Sequence, residues 1–261
     1  MAGSRNDLQR AAAEVLAAGG KTVALTGAGI SVESGIPAFR GSQGMWEKFD
    51  PAEYATIGAF LRNPEKVWEM LSEMMDVLLG AAPNAAHRGL AELERMGLLR
   101  SVITQNVDGL HQAAGSRRVI EFHGSPEALV CIACWNRYPS AEKVREGIPP
   151  RCGCGAILKP DIVFFGEPIP WGAQEDAEAE ARSCSVLLVI GTSAQVAPAC
   201  EIPRQAKEHG ARVIEINPEE TPLTRTVTDL HIQGGASEIL PCLIQEILSP
   251  HSGSQSPSEN H

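Results

Sequence analysis

Four of the seven cysteines crowd into residues 131–154, as Cys131-x-x-Cys134 and Cys152-x-Cys154, with 17 residues between the pairs. Two thiolate pairs from two loops suit a tetrahedral Zn²⁺, which favours sulfur ligands. A four-cysteine set is coordinatively closed, so the expectation is one structural zinc per chain with no catalytic part. A redox dithiol is the competing reading, and the paired spacing on both sides argues against it. The second pair is C-x-C, which leaves less room than C-x-x-C for backbone N–H to sulfur bonds. Gly153 and Gly155 free the second loop to turn its sulfurs inward, and Arg137, Arg151 and Lys159 are placed to offset thiolate charge.

A second chemical group begins at Gly27-Ala28-Gly29-Ile30-Ser31, directly after the apolar run TVALT (22–26). Glycines at such a turn let backbone N–H groups and a helix N-terminus approach a pyrophosphate. Taken alone, the same letters serve equally as a tight strand-to-helix turn, because the next glycine is Gly35 and G-x-G-x-x-G is not completed. His123 closes the run VIEFH (119–123) ahead of Gly124, and Asn106 and Asp108 follow SVITQ (101–105). A neutral imidazole with a reference pKa of about 6.5 accepts a proton near neutrality. Asn and Asp after a strand also read as helix caps.

The elements that must hold these groups alternate. Residues 7–18, 64–79, 84–96, 107–114, 174–183, 199–209 and 236–248 read as helices; 22–26, 101–105, 119–123, 185–191 and 212–217 read as strands. That rhythm predicts an α/β fold, a doubly wound, mostly parallel Rossmann-like sheet. Two interruptions predict a smaller domain made of a zinc-binding module and a helical and loop insertion. The expected division is 1–40, 84–123 and 161–248 for a dinucleotide-binding domain, 41–83 for a cofactor-loop and helical module, 124–160 for the zinc module, and 249–261 for a disordered tail. Pro241 falls early in the last helix, where a missing N–H costs little. Cys184, Cys200 and Cys242 read as small buried hydrophobes. The net charge of −10 disfavours nucleic acid and anionic membranes. No apolar run reaches the roughly 20 residues a bilayer needs, and the N-terminus lacks a signal-peptide core. The expectation is a cytoplasmic monomer.

The longer run GAGISVESGIPAFRG (27–41) resembles the cofactor signature of the sirtuin family, in its bacterial type. Gln105-Asn106-Val107-Asp108, Phe122-His123-Gly124, Phe165-Gly166-Glu167, Gly191-Thr192-Ser193 and Ile216-Asn217-Pro218 are similar to that family's later motifs. They occur in family order and cover about residues 20–240. The resemblance implies NAD as co-substrate. Gly27, Ala28, Gly29, Ser31, Pro37, Phe39, Arg40, Trp46, Gln105, Asn106, Val107, Asp108, Gly191, Thr192, Ser193, Asn217, Pro218, Glu219 and Ala236 would line its site. It implies His123 as general base, with Asn106 orienting the ribose and a water, and Phe39 shielding the reactive sugar. An acylated protein segment would bind as an extended peptide along Val163, Phe164, Phe165, Gly166 and Glu167, by strand addition.

The implied reaction begins with the acyl-lysine carbonyl oxygen attacking C1′ of the ribose as nicotinamide leaves. His123 then deprotonates a ribose hydroxyl, and the products are free lysine and 2′-O-acyl-ADP-ribose. One family branch removes succinyl or malonyl groups with a Tyr-x-x-Arg pair; here those positions are Leu71 and Met74. Neither pairs with a carboxylate, so neutral acyl groups are expected: acetyl, and longer chains that use the apolar space. The alternatives are mono-ADP-ribosyl transfer, desuccinylation or demalonylation despite the missing pair, and a non-catalytic NAD-binding module.

Overall fold

The computed structural model describes residues 3–39 and 44–249. The expected Arg40 and the tail beyond Ser249 lie outside these residues. In chain order the elements are α1 (Arg5–Ala17), β1 (Thr22–Thr26), a 3-10 turn (Ala28–Ser34), α2 (Met45–Lys48), α3 (Pro51–Tyr54), α4 (Ile57–Arg62), α5 (Pro64–Gly80), α6 (Ala85–Arg95), β2 (Leu99–Thr104), α7 (Leu110–Ala113) and β3 (Val119–Glu121). Then come β4 (Gly124–Val130), β5 (Arg137–Pro139), α8 (Ser140–Glu146), β6 (Lys159–Ile162), α9 (Trp171–Ser183), β7 (Val186–Ile190), α10 (Ile202–Glu208), β8 (Arg212–Asn217), β9 (Leu230–Gln233) and α11 (Ala236–Leu248).

β1 and β7 are buried along their whole length, as parallel strands covered on both faces must be. The main sheet runs β3-β2-β1-β7-β8-β9, parallel throughout. The chain winds outward from β1 to β3 and then returns to β7, so strand order reverses between β1 and β7. In a doubly wound sheet that crevice, at the carboxyl ends of the strands, is where ligands bind. One apolar cluster joins α1, α6 and α11 to one face of the sheet. A second joins α9 and α10 to the other.

The second lobe is a three-stranded antiparallel sheet, β5-β4-β6, packed with α4 and α5. Trp68 of α5 is almost fully buried. Its indole N–H donates to the Leu158 carbonyl at 2.9 Å and bolts the helical insertion to the zinc module. The two insertions share one apolar core, which includes Phe60, Leu71, Leu129 and Phe164.

Several local expectations are corrected. VIEFH is not a single strand: β3 stops at Glu121 and β4 starts at Gly124, whose φ of +75° turns the chain out of the sheet. A Cβ at Gly124 would sit 2.3 Å from the Asp161 carbonyl oxygen, so only glycine fits this crossing. The helix expected at 107–114 is limited to Leu110–Ala113, and 199–209 is a 3-10 turn followed by α10. Pro241 is the sixth residue of α11, within the helix interior, where its missing N–H leaves an i−4 carbonyl unbonded. Cys184 is buried, but Cys200 and Cys242 are only partly so.

Candidate active site and zinc cluster

A cavity of about 690 Å³ opens at the β1/β7 crevice. It is lined by Gly27, Ala28, Gly29, Phe39, Trp46, Gln105, Asn106, Val107, His123, Gly191, Thr192, Ser193, Asn217, Pro218, Glu219 and Ala236. Leu71, Met74 and Val163 to Glu167 line the same space. Ser31, Pro37 and Asp108 are not on its wall. Sequence reasoning missed Glu33, Gln195, Thr221 and Pro222, which also line it; none carries a spacing signal.

The glycines of the first turn line the cavity and also have a packing role. A Cβ on Gly27 would lie 2.9 Å from the Gly191 oxygen, and one on Gly29 would lie 2.7 Å from it. Their N–H groups donate to the Ile190 and Gly191 carbonyls at 3.1 and 2.8 Å. They therefore let the turn after β1 nest against the turn after β7, and those two amides are already committed. What they create is the crevice.

His123 sits between β3 and β4. Its Nδ1 lies 2.9 Å from the Gln105 carbonyl oxygen, which can only accept, so Nδ1 carries the proton. Nε2 is then the basic nitrogen. Burial lowers the His123 pKa, and the bond to Gln105 opposes the shift. A neutral imidazole at pH 7 follows.

Asn106, buried beside it, donates through Nδ2 to the Gly27 carbonyl at 3.2 Å and to Ser31 Oγ at 3.1 Å. Ser31 Oγ donates to Asp108 Oδ2 at 2.7 Å. Asp108 Oδ1 also accepts from the Leu110 N–H at 2.9 Å, although the N-cap of the short helix is Gly109 and not Asp108. Ser31 and Asp108 thus brace Asn106 from behind the wall. Deeper still lie His87 and His111, fully buried, with ring centroids 4.9 Å apart. Burial, then the neighbouring His87, lowers His111 to about 3. Burial also lowers His87, against the opposing charge of Asp108. The signal for His87 was its place three residues after Asn84, completing a capping box at the start of α6.

At the other end of the cavity, Phe39 stacks on Trp46 with centroids 5.1 Å apart, and Trp46 tilts against Phe165 at 6.3 Å. The expected peptide-binding edge is partly occupied. The Phe165 N–H donates to the Ala55 carbonyl, and its carbonyl accepts from the Ile57 N–H. The Val163 N–H donates to the His123 carbonyl at 2.8 Å. These backbone groups are therefore not free to pair with an added strand. Glu167 stiffens it, accepting from the Phe164 N–H at 2.8 Å and from Lys159 Nζ at 2.9 Å. A second, mainly apolar cavity of about 490 Å³ shares Leu71, Met74 and Ile162 with the first.

The four cysteine sulfurs lie within 4.8 Å of one another. Cys131–Cys154 and Cys134–Cys152 are 3.6 and 3.5 Å apart, against roughly 3.8 Å for the edge of a Zn–S₄ tetrahedron with bonds of about 2.3 Å. The donor set fits one zinc ion. Tyr138 Oη lies 3.2 Å from Cys152 Sγ and supports the C-x-C half from outside the cluster. Arg137, Arg151 and Lys159 do not serve the thiolates as expected. They pair instead with Asp161, Glu65 and Glu167.

Among the described residues no helix is long and apolar enough to cross a membrane. Residues 27–198 match the model of the Sir2 family. The chain is 50% identical over 236 residues to NAD-dependent protein deacylase 2 of Pyrobaculum aerophilum, covering 90% of this chain and 94% of that protein. Relatives at this level are mostly archaeal, not bacterial. A solved structure of a Sir2 enzyme superimposes with a TM-score of 0.87 at 45% identity, covering 94% and 98% of the two chains. Sir2Af2 bound to a myristoylated histone peptide superimposes with a TM-score of 0.78 at 40% identity, covering 94% and 97%. The shared sequence, the reversal between β1 and β7 and the four-cysteine module place this chain in the Sir2 family, the sirtuins.

Proposed function

We propose that this protein uses NAD to remove acetyl or other neutral acyl groups from protein lysine side chains, yielding nicotinamide, 2′-O-acyl-ADP-ribose and free lysine. The observation that carries this reading is the position of His123: a neutral imidazole, oriented by the Gln105 carbonyl, on the wall of a cavity that also holds the peptide segment. Bound NAD supplies the electrophilic ribose carbon and the hydroxyl that receives the acyl group. Nε2 of His123 accepts the hydroxyl proton. Asn106, fixed by Gly27 and Ser31, orients the ribose face and a water. Phe39 and Trp46 cover the reacting end and exclude solvent.

The same reading divides the labour. Residues 1–40, 84–123 and 161–248 take the dinucleotide, and the peptide lies along 163–167, beside the lobe in which 41–83 and 124–160 share one apolar core. The zinc ion, held by Cys131, Cys134, Cys152 and Cys154, keeps the second group folded. A reducing, cytoplasmic setting agrees with four thiols gathered as a metal set. The bacterial-type assignment draws support from a relative in Aquifex aeolicus that is 49% identical.

Mass spectrometry of an acetyl-lysine peptide incubated with and without NAD tests the proposal. Loss of the acetyl group is expected only with NAD, together with one nicotinamide per lysine freed. Cleavage without NAD would sink it. Transfer of label from adenine-labelled NAD onto the peptide would favour ADP-ribosyl transfer instead.

A further inference from the structure

Glu215 lies in the middle of β8 and is completely buried. A carboxyl group removed from water is costly unless its oxygens are bonded. Here no cation pairs with it among the described residues; three threonine hydroxyls do the work. Thr221 Oγ1 donates to Oε1 at 2.5 Å, and Thr224 and Thr228 donate to Oε2 at 2.7 and 2.8 Å. All three belong to the loop between β8 and β9.

Two of these hydroxyls pass the constraint on to the loop backbone. Thr221 Oγ1 accepts from the Leu223 N–H at 3.1 Å, and Thr224 Oγ1 accepts from the Thr221 N–H at 2.9 Å. A hydroxyl has one proton to give. With that proton fixed on Glu215, its lone pairs are aimed at those amides. One buried carboxyl thereby sets the shape of the loop from the inside. The near end of that loop, Pro218 to Pro222, is a wall of the main cavity, although Glu215 itself is not. Asn217, two residues further along the strand, stands at the same wall and donates to the Thr192 carbonyl at 2.9 Å.

The geometry points to Glu215 as a positioning residue for the dinucleotide: through Thr221, Thr224 and Thr228 it holds the wall, Pro218 to Pro222, of the cavity proposed to receive NAD. This rests on the NAD-dependent reading above. Because His123 and the peptide segment lie on other elements, loosening this wall acts on dinucleotide affinity and leaves the chemical step and peptide binding alone.

The test uses Glu215→Gln and, as a milder variant away from the cavity wall, Thr228→Val, with Thr228→Ser to restore the hydroxyl. The expected result is a KM for NAD raised about tenfold in Glu215→Gln, in line with losing bonds to a charged group. The rise is smaller in Thr228→Val and reversed in Thr228→Ser. kcat and KM for the acyl-lysine peptide stay within about twofold, since nothing that touches the reacting atoms changes. An unchanged KM for NAD in folded Glu215→Gln and Thr228→Val overturns the inference, as does an equal change in both KM values and kcat. Should Glu215→Gln fail to fold, Thr228→Val and Thr228→Ser decide alone. ADP-ribose binding by calorimetry separates the two claims. A wild type that binds none refutes the NAD reading, whereas a wild type and Thr228→Val that bind it equally refute only the role of Glu215.

Discussion

At the scale of single residues, the imidazole at 123 differs from the two buried behind it in what it faces. His87 and His111 bond inward, to Asn84, Ser31 and Thr26, and are sealed from any ligand. His123 shares their downward pKa shift but borders the cavity. The sign of its pH dependence follows from that shift. A base works when unprotonated, and the folded pKa lies below the usual value of about 6.5 for histidine, so turnover should be lost only as pH falls through the lowered value. The acid limb of kcat/KM is therefore expected below pH 6.5, and it should vanish with the activity in His123→Ala. An acid limb at or above the ordinary histidine value would mean that another group titrates. His123, Asn106 and the Gly27–Gly29 turn were legible as candidates because they stand in runs that resemble the family's motifs, and the structure brings them to one cavity. His111 and Glu215 were not, and His87 could be found only through its place in a capping box. A polar letter inside a helix or in RVIEIN reads as a solvent-facing position, and only long-range contacts reveal that it is buried.

Among the elements, those read most securely are β1 and β7, buried along their whole length and written as largely apolar runs; β8 is buried through its middle although Glu215 interrupts its apolar run. β4 to β6 escaped because they are antiparallel, carry glycine, proline and charged residues, and are interrupted by the cysteine turns, so neither run nor alternation marks them. β9 is only four residues long and adds to the sheet edge. The join between the helical insertion and the zinc module was equally hidden, since it depends on Trp68 reaching Leu158 across 90 residues of sequence. That join gives a measurable expectation. Trp68→Phe keeps a large aromatic ring but leaves the Leu158 carbonyl buried without its donor, which should lower unfolding stability by about 1–3 kcal/mol. Urea denaturation measures it. Metal analysis should find one zinc per chain, and stripping that zinc with a chelator should destabilise the same lobe, because no disulfide replaces it. A Trp68→Phe protein as stable as wild type would mean that the two insertions hold together without this bond.

The molecule as a whole consists of two lobes that meet along one cavity, and on the proposed reading the point of meeting would also decide which acyl groups fit. Leu71 and Met74, three residues apart on α5, and Ile162 at the end of β6 are common walls of both cavities. On the reading proposed above, an acyl-lysine lying along Val163 to Glu167 would direct its tail toward them, and among the described residues no cation lines either cavity. Succinyl would leave its carboxylate unpaired, whereas a longer alkyl tail gains about 0.8 kcal/mol for each methylene it buries. Met74, flexible and only partly buried, is the side chain best able to yield. Peptides carrying acetyl-, decanoyl- and succinyl-lysine should therefore be turned over with the first two well ahead of the third. Met74→Trp should fill the passage. It is expected to lower kcat/KM for decanoyl-lysine by about tenfold or more, the equivalent of two displaced methylenes, while acetyl-lysine stays within about threefold. Equal losses for both substrates would mean that the second cavity is not the continuation of the first. Faster succinyl than acetyl removal would mean that a cation reaches the tail from outside this wall, and the neutral-acyl preference would then fall with it.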